Sequence, residues 1–260
     1  MSEIRMGKVE NYIHEKLASD GAMLFALIDP LDHKDVESAA RRAKEACEAG
    51  ADLLLIGGSM GVQGSLLDDL AKRVKESVNV PLVLFPGNIS TLTTYADAVY
   101  YMSLRNSRNP YWITQAQMLA AYTVKKTGIE PLPVGYIVVE PGGTVGWVGE
   151  ANLVPRDKPM IAAALALGAQ YAGCRIVITD TGSAPAECPV PLDMVAAVRA
   201  SIDVPYIVAG GIRKPEQARD IVKAGADAIQ VGTAIEQAGD VKKTVGALVK
   251  AVKEEGRKRR

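Results

Sequence analysis

Two pairs of residues in the last quarter of the chain have the chemistry of an anion site. Gly210 and Gly211 end the apolar run VPYIVA, and Gly232 and Thr233 end the next apolar run, ADAIQV. Glycine lets the backbone approach a ligand closely, and amide groups at the start of a following helix attract negative charge. A tight turn would explain one glycine, but the repeated pattern at successive strand ends predicts a phosphate site.

Further polar residues follow other apolar runs. Gly182 and Ser183 lie in TDTGSAP and could add donors to the same anion, whereas Asp29 follows AMLFALI and Ser59 follows LLLIGG. One carboxylate and one hydroxyl are too few for a closed metal cage, but Mg²⁺ retains waters and takes further ligands from substrate phosphates. The pattern predicts an Mg²⁺-diphosphate site at Asp29 and Ser59, although aspartate before Pro30 is also an ordinary turn.

Other kinds of site find little support. Ser183 is not in a GxSxG motif, and His14 and His33 have no partner at metal or nucleophile spacing. The three cysteines include no CxxC pair, which argues against a zinc site or a disulfide framework and fits a reducing cytoplasm. A formal net charge of 0 gives no general attraction to nucleic acid, and no apolar run is long enough to cross a membrane.

The elements that must position these residues repeat along the chain. Eight apolar runs, all but the third followed by a clear helical pattern, predict a parallel sheet covered on both faces, and hence a (β/α)₈ barrel. The segment 86–97 predicts a weak or missing third helix, and no linker divides residues 1–260, which we assign to one domain. The basic residues within 254–260 predict a solvated tail. The runs lie at 22–29, 53–57, 81–85, 98–102, 134–140, 174–179, 206–210 and 228–232.

Aromatic residues suggest a second kind of surface. Tyr100 and Tyr101 fall in one strand and could line a pocket, with one of them facing the helices because side chains alternate. The glycine-rich segment 136–149 is longer than a connector needs, so we expect a lid or a subunit contact, with Trp147 at an interface.

Nine segments spread over nearly the whole chain carry a family resemblance. They are LIDP (27–30), IGGS (56–59), FPGN (85–88), YADAVYYMSLRNSRNPYW (95–112), GYIVVEPGGTVGWVGEA (135–151), RDKP (156–159), TGS (181–183), GGIR (210–213) and VGT (231–233). Together they resemble the geranylgeranylglyceryl phosphate synthases, in the group related to bacterial heptaprenylglyceryl phosphate synthase. The long segments 95–112 and 135–151 are specific, whereas GGIR and VGT occur in many phosphate-binding barrels.

The resemblance implies a function. In this family a (β/α)₈ barrel uses Mg²⁺ to transfer a geranylgeranyl group from its diphosphate to the sn-3 hydroxyl of sn-glycerol 1-phosphate, the first ether-forming step of archaeal membrane lipids. It implies homo-oligomers, either dimers or hexamers, a cytoplasmic enzyme, and peripheral contact with the membrane for product release.

It also implies roles for individual residues. Asp29 and Ser59 would hold Mg²⁺, Asp29 and Asp180 would be catalytic, and Tyr100 and Tyr101 would line the prenyl channel. Glycerol phosphate would be bound by the residues after the sixth, seventh and eighth strands, namely Ile178, Thr179, Asp180, Thr181, Gly182, Ser183, Ala184, Gly210, Gly211, Gly232 and Thr233.

The acceptor side departs from the family pattern. Members typically read close to YLEAGSGA where this chain reads ITDTGSAP, so Ile178 replaces a tyrosine and Asp180 replaces a glutamate. These departures leave two alternatives open: a prenyltransferase with a different phosphorylated acceptor, or a phosphate-binding barrel with weak or no transferase activity. A phosphosugar isomerase or aldolase-like barrel is disfavoured, because no lysine stands at a strand end.

Overall fold

Eight parallel strands close into one barrel in this protein, described here from a computed structural model. The structure describes residues 6–183 and 188–259. Each strand pairs with the next along the chain, and the eighth pairs with the first, which confirms the predicted (β/α)₈ barrel. The strands are β1 (Met23–Ile28), β2 (Leu53–Gly57), β3 (Leu82–Phe85), β4 (Ala98–Leu104), β5 (Glu130–Val138), β6 (Ile176–Asp180), β7 (Tyr206–Ala209) and β8 (Ala228–Val231).

Helices surround the barrel and join most of the strands. A 3₁₀ turn, Pro30–Asp32, follows β1, and a π-helical turn, Tyr111–Gln115, precedes the fourth helix. The helices are α1 (Lys8–Asp20), α2 (Val36–Glu48), α3 (Gly64–Ser77), α4 (Ala116–Thr127), α5 (Gly143–Val148), α6 (Pro159–Tyr171), α7 (Leu192–Ser201), α8 (Pro215–Ala224), α9 (Thr233–Glu236) and α10 (Val241–Lys258).

The connection between β3 and β4, residues 86–97, contains no helix, as the sequence predicts. Its turns nevertheless pack on the barrel, because Thr91, Thr93 and Ala96 are buried. On this side the outer surface of the sheet is covered by irregular backbone and by α4, not by a helix of its own.

One helix that the sequence patterns did not reveal, α1, closes the N-terminal end of the barrel. Its first turn is capped by the side chain of Glu130, which accepts hydrogen bonds from the amides of Val9 at 2.7 Å and Glu10 at 3.0 Å. Val9 and Ile13 are buried in the same apolar cluster as the inward side chains of the strands. The carboxylate of Glu130, far along the chain, thus stabilises this helix. Local sequence patterns do not contain this interaction, so they do not predict the helix.

The C-terminal end departs from the solvated tail predicted for 254–260. Residues 254–258 continue α10, and Arg259 donates hydrogen bonds to the carbonyl of Ala226 at 2.6 Å and to Asp227 at 3.1 Å. Lys253 of the same helix forms ion pairs with Asp20 at 2.8 Å and Asp52 at 2.7 Å. Lys253 and Arg259 thus have carbonyl and carboxylate partners on the base of the barrel, which helps to hold the helix, whereas Arg257 and Lys258 are exposed as predicted.

The strands separate two apolar layers, and alternation decides which side chains can reach a ligand. In β6, Ile178 belongs to the cluster inside the barrel, whereas Thr179 faces the helices and forms a 2.7 Å hydrogen bond with Tyr206. Asp180, at the end of β6, is inward again. The polar groups that face the lumen therefore lie at its C-terminal end, where the loops after the strands meet.

Candidate active site

The glycines after β6 and β7 are required by the backbone. Gly182, Gly210 and Gly211 have φ values of 75°, 82° and 70°, a region that favours glycine. A Cβ on Gly210 would lie 2.4 Å from Oγ1 of Thr181, and one on Gly211 would lie 2.6 Å from the backbone of Pro189. Turn geometry and close packing thus account for these glycines structurally, and this requirement does not by itself identify a ligand.

The same loops surround a polar cavity that could hold an anion. The cavity encloses about 930 Å³ including its open mouth, and its walls include seven of the residues proposed from the sequence for glycerol phosphate: Asp180, Gly182, Ser183, Gly210, Gly211, Gly232 and Thr233. Within the described part of the chain, the backbone amides of Gly210, Gly211 and Gly232 donate to no carbonyl or side chain. Unpaired amides around a concave site are available to phosphate oxygens.

Not every residue predicted for the acceptor reaches this cavity. The side chains of Ile178, Thr179 and Thr181 are fully buried and do not line it. Thr179 is turned toward the helices, and Ile178 lies one layer deeper in the lumen, as alternation along β6 requires. Ala184 lies outside the described residues.

Asp180 is inside the cavity wall and is held by two hydrogen bonds. Its Oδ1 accepts from the amide of Gly182 at 2.6 Å, and its Oδ2 accepts from the hydroxyl of Tyr136 at 2.6 Å. Burial raises the pKa of Asp180 above its ordinary value, and the hydrogen bonds from Tyr136 and Gly182 oppose that rise. The result is a fixed carboxylate with raised basicity at the floor of the site.

Asp29 and Ser59 both line the polar cavity on the side away from β6. Oδ1 of Asp29 accepts a hydrogen bond from the amide of Leu31 at 3.0 Å, while a Cβ on Gly58 would lie 2.5 Å from Oδ2. The absent side chain at position 58 thus lets the loop after β2 approach Asp29 closely. Burial raises the pKa of Asp29 to about 6, and the negative charge of Asp32 adds to the rise.

Two further acidic residues at this side were missed by reasoning from strand ends. Asp32 lies in the 3₁₀ turn and Glu236 lies in α9, and both line the polar cavity. Burial, together with the negative charges of the nearby Asp32 and Asp29, raises the pKa of Glu236 to about 7. Among the described residues, no three His, Cys, Asp or Glu side chains form a closed metal cage. A cation here would take its remaining ligands from water and substrate.

A second, apolar cavity opens beside the connection between β3 and β4, which contains no helix. It encloses about 780 Å³ including its mouth and lies between the connection 86–97, β4 and α4. Tyr100 and Tyr101 both line it. Tyr100 faces inward with its ring centroid 5.6 Å from that of Phe85, whereas Tyr101 faces the helices and its hydroxyl donates to the carbonyl of Gln117.

The two cavities share part of their walls. Both are lined by Ser59, Pro86, Gly87, Met102, Tyr136 and Val145. A ligand with a charged end and a long apolar end can therefore place its charge beside Asp29 and its chain beside α4. A second phosphorylated ligand can occupy the glycine loops across the same space. The arrangement suits a transfer between two phosphorylated molecules, one of which is strongly apolar.

Large apolar side chains are also exposed on the outside of the barrel. Trp147 in α5 and Tyr122 in α4 are 84% and 85% exposed. In the part of the chain that the structure describes, no helix is long and apolar enough to cross a membrane.

Comparisons with known proteins agree with this fold. Residues 20–252 match the PcrB family. The chain is 52% identical to a geranylgeranylglyceryl phosphate synthase of Pyrococcus horikoshii over 238 residues, covering 92% of each protein, and 52% identical to one of Thermococcus kodakarensis, covering 92% and 94%. A crystal structure of (S)-3-O-geranylgeranylglyceryl phosphate synthase from Thermoplasma acidophilum, in complex with sn-glycerol-1-phosphate, superposes with a TM-score of 0.90 at 36% identity, covering 96% of this chain and 100% of that one.

Proposed function

The chain belongs to the PcrB family, and from that premise we propose that it is a prenyltransferase that moves a geranylgeranyl group from its diphosphate to the sn-3 hydroxyl of sn-glycerol 1-phosphate. The observation that carries this proposal is the junction of a polar, glycine-walled cavity with an apolar one at the mouth of the barrel. The product is the first ether of archaeal membrane lipids.

The acceptor is placed by its phosphate. The unpaired amides of Gly210, Gly211 and Gly232 bind the phosphate oxygens, and Ser183 and Thr233 line the same cavity with their hydroxyls. With the phosphate held there, the glycerol part extends inward toward Asp180. Holding two reactants in a fixed geometry supplies a large part of the rate increase in a bimolecular transfer.

The prenyl diphosphate lies across the shared wall. Its chain fills the apolar cavity beside Tyr100, Tyr101 and α4, and its diphosphate faces Asp29 and Ser59. These two side chains fit Mg²⁺, because they offer hard oxygen donors and because burial leaves Asp29, whose pKa it raises, without an ion-pair partner among the described residues. When bound, Mg²⁺ neutralises charge on the departing diphosphate.

The chemical step needs little else from the chain. The bond between the allylic carbon and the diphosphate oxygen breaks, the bonding electron pair leaves with diphosphate, and the acceptor oxygen bonds to the carbon. Asp180 accepts the proton of the acceptor hydroxyl, a role favoured by its raised pKa and by its fixed position between Tyr136 and Gly182.

The proposal is tested by incubating purified protein with Mg²⁺, labelled geranylgeranyl diphosphate and sn-glycerol 1-phosphate, and extracting the prenyl ether. We expect Asp29→Asn to lower the transfer rate by at least about 100-fold, since metal neutralisation of a leaving group contributes several kcal/mol. Asp69→Asn, on the exposed side of α3, is the matched control and retains wild-type activity. Full activity in Asp29→Asn would remove Asp29 from the reaction.

A second candidate is a prenyltransferase that uses a different phosphorylated acceptor. Both oxygens of Asp180 already accept a hydrogen bond within the protein, and Ile178 gives no polar group. The same assay distinguishes this case when sn-glycerol 3-phosphate and dihydroxyacetone phosphate replace sn-glycerol 1-phosphate. Faster transfer to either compound would favour the alternative.

We also propose that the chain acts in the cytoplasm as a homo-oligomer, a dimer or a hexamer, that touches the membrane peripherally to release its product. The exposed side chains Trp147 and Tyr122 offer apolar area for contacts between subunits. The three cysteines are free, as expected for a reducing compartment. Sedimentation velocity measures the assembly, and cell fractionation tests the location.

A further inference from the structure

Gln230 is a buried polar side chain inside the barrel to which the proposed reaction assigns no role. Gln230 lies in β8, is 3% exposed, and faces the lumen in register with Phe25 of β1. Its Oε1 is buried without a hydrogen-bond partner among the described residues. A buried amide without partners is costly, so such a group in a folded protein requires an explanation.

Strand pairing places Gln230 in the same hydrogen-bonded row of the sheet as Asp180, two strands away. Asp180 pairs with Ala209 of β7, and Ala209 pairs with Gln230. Ala209 also faces inward, and its small side chain leaves space between its two polar neighbours. Gln230 and Asp180 therefore flank one gap in the inner layer, and both line the polar cavity.

The gap lies directly below the phosphate loops. Gly232 follows Gln230 by two residues, which is about 7 Å along a strand. A three-carbon phosphorylated molecule with its phosphate at Gly210, Gly211 and Gly232 would extend its carbon skeleton into this gap. Its hydroxyls would then meet Asp180 on one side and Gln230 on the other.

We propose that Gln230 is a substrate-binding residue that recognises a hydroxyl group of the phosphorylated acceptor, opposite Asp180. An amide can accept a hydrogen bond through Oε1 and donate one through Nε2, whereas an ionised carboxylate only accepts. Asp180 thus takes the hydroxyl that reacts, and Gln230 takes the other. This inference rests on the proposed function and adds a determinant of acceptor choice.

The main variant is Gln230→Met, which keeps the length of the side chain and removes the amide. We expect its KM for sn-glycerol 1-phosphate to rise about 10-fold, the effect of one lost hydrogen bond, while its KM for geranylgeranyl diphosphate stays at the wild-type value. Gln170→Met is the matched control, because Gln170 lies near the C-terminal end of α6, remote from the mouth of the barrel. Its two KM values stay unchanged.

Calorimetry provides a readout that does not depend on turnover. The affinities of wild type and variant are measured for sn-glycerol 1-phosphate and for inorganic phosphate, which occupies the loops without reaching Gln230. The preference for glycerol phosphate over phosphate falls about 10-fold in Gln230→Met, whereas the affinity for phosphate itself is retained, which also shows that the variant is folded. Without ligand, Gln230→Met unfolds at a higher temperature than wild type, since an unpaired buried amide has been removed.

The outcomes separate this inference from the proposed function. If wild type makes the ether and Gln230→Met keeps the wild-type KM and binding preference, Gln230 does not bind the acceptor and the inference is overturned. If wild type makes no ether but prefers glycerol phosphate over phosphate, the proposed reaction fails and the binding ratio of the variant still decides the role of Gln230. If wild type shows no preference, the hydroxyls are not recognised and the inference fails as well.

Discussion

Replacing Gly210 by alanine tests the loop after β7 at its most constrained point. The residue has φ of 82°, and a Cβ would lie 2.4 Å from Oγ1 of Thr181 and 2.6 Å from Oδ1 of Asp180. A left-handed alanine costs about 1–2 kcal/mol. Overpacking against well-fixed neighbours costs typically about 1–3 kcal/mol more. The expected loss of stability is therefore about 2–5 kcal/mol.

For a chain of this size, each kcal/mol shifts Tm by about 2–4 °C, so Gly210→Ala should unfold roughly 4–20 °C below wild type. Gly168→Ala is the matched control, because Gly168 lies within α6 and a Cβ there would have no neighbour within 4 Å. Alanine is favoured over glycine in a helix interior by about 0.5–1 kcal/mol, so this variant should gain slightly in Tm. Scanning calorimetry of the wild type and the two variants measures the expected decrease in Tm for Gly210→Ala and the expected increase for Gly168→Ala.

The affinity of Gly210→Ala for inorganic phosphate shows whether Gly210 serves only the turn or also serves phosphate binding. Displacement of Asp180 or of the loop should weaken binding of inorganic phosphate and raise KM for the acceptor. A wild-type Tm for Gly210→Ala would refute the argument from backbone geometry. A lowered Tm with unchanged phosphate affinity would keep that argument and show that the glycine serves only the turn.

Three further changes address other parts of the site. The pKa of Glu236 is about 7 in the folded chain against 4.5 ordinarily, so the contribution of this group to wild-type stability should fall as pH rises from about 4.5 to 7. Glu236→Gln should therefore raise Tm at pH 8 in metal-free buffer and leave Tm unchanged near pH 4.5. Equal gains in Tm at both pH values would contradict this. Ala120→Phe fills the apolar cavity beside α4, so kcat/KM should fall for geranylgeranyl diphosphate and be retained for a shorter prenyl diphosphate; equal loss with both would argue against a channel there. Trp147→Asp should shift sedimentation velocity profiles to smaller species, and an unchanged profile would exclude α5 from the interface.

The sequence predicted the barrel and the glycine turns at its C-terminal end because both depend on local patterns. Apolar runs that end in glycine mark strand ends, and parallel strands bring their ends to one edge. Glu236 could not be found this way, because it lies four residues beyond the glycine of β8 and becomes part of the site only through the turn of α9. Gln230 was hidden for a different reason: one polar residue in AIQV does not reveal whether it faces the lumen or the helices. Its meaning appears only once register places it beside Ala209 and Asp180.

Because no helix follows β3, the barrel has two cavities whose walls are largely separate, and we propose one for each substrate. Residues of α4, together with Asn88, Ile89 and Leu92 of the connection, line only the apolar cavity, whereas the ends of β6, β7 and β8 line only the polar one. Substitutions can therefore change the accepted chain length without altering the polar partner, and the reverse. An incomplete helical layer in this fold is thus a route by which lipid length and headgroup chemistry can evolve independently.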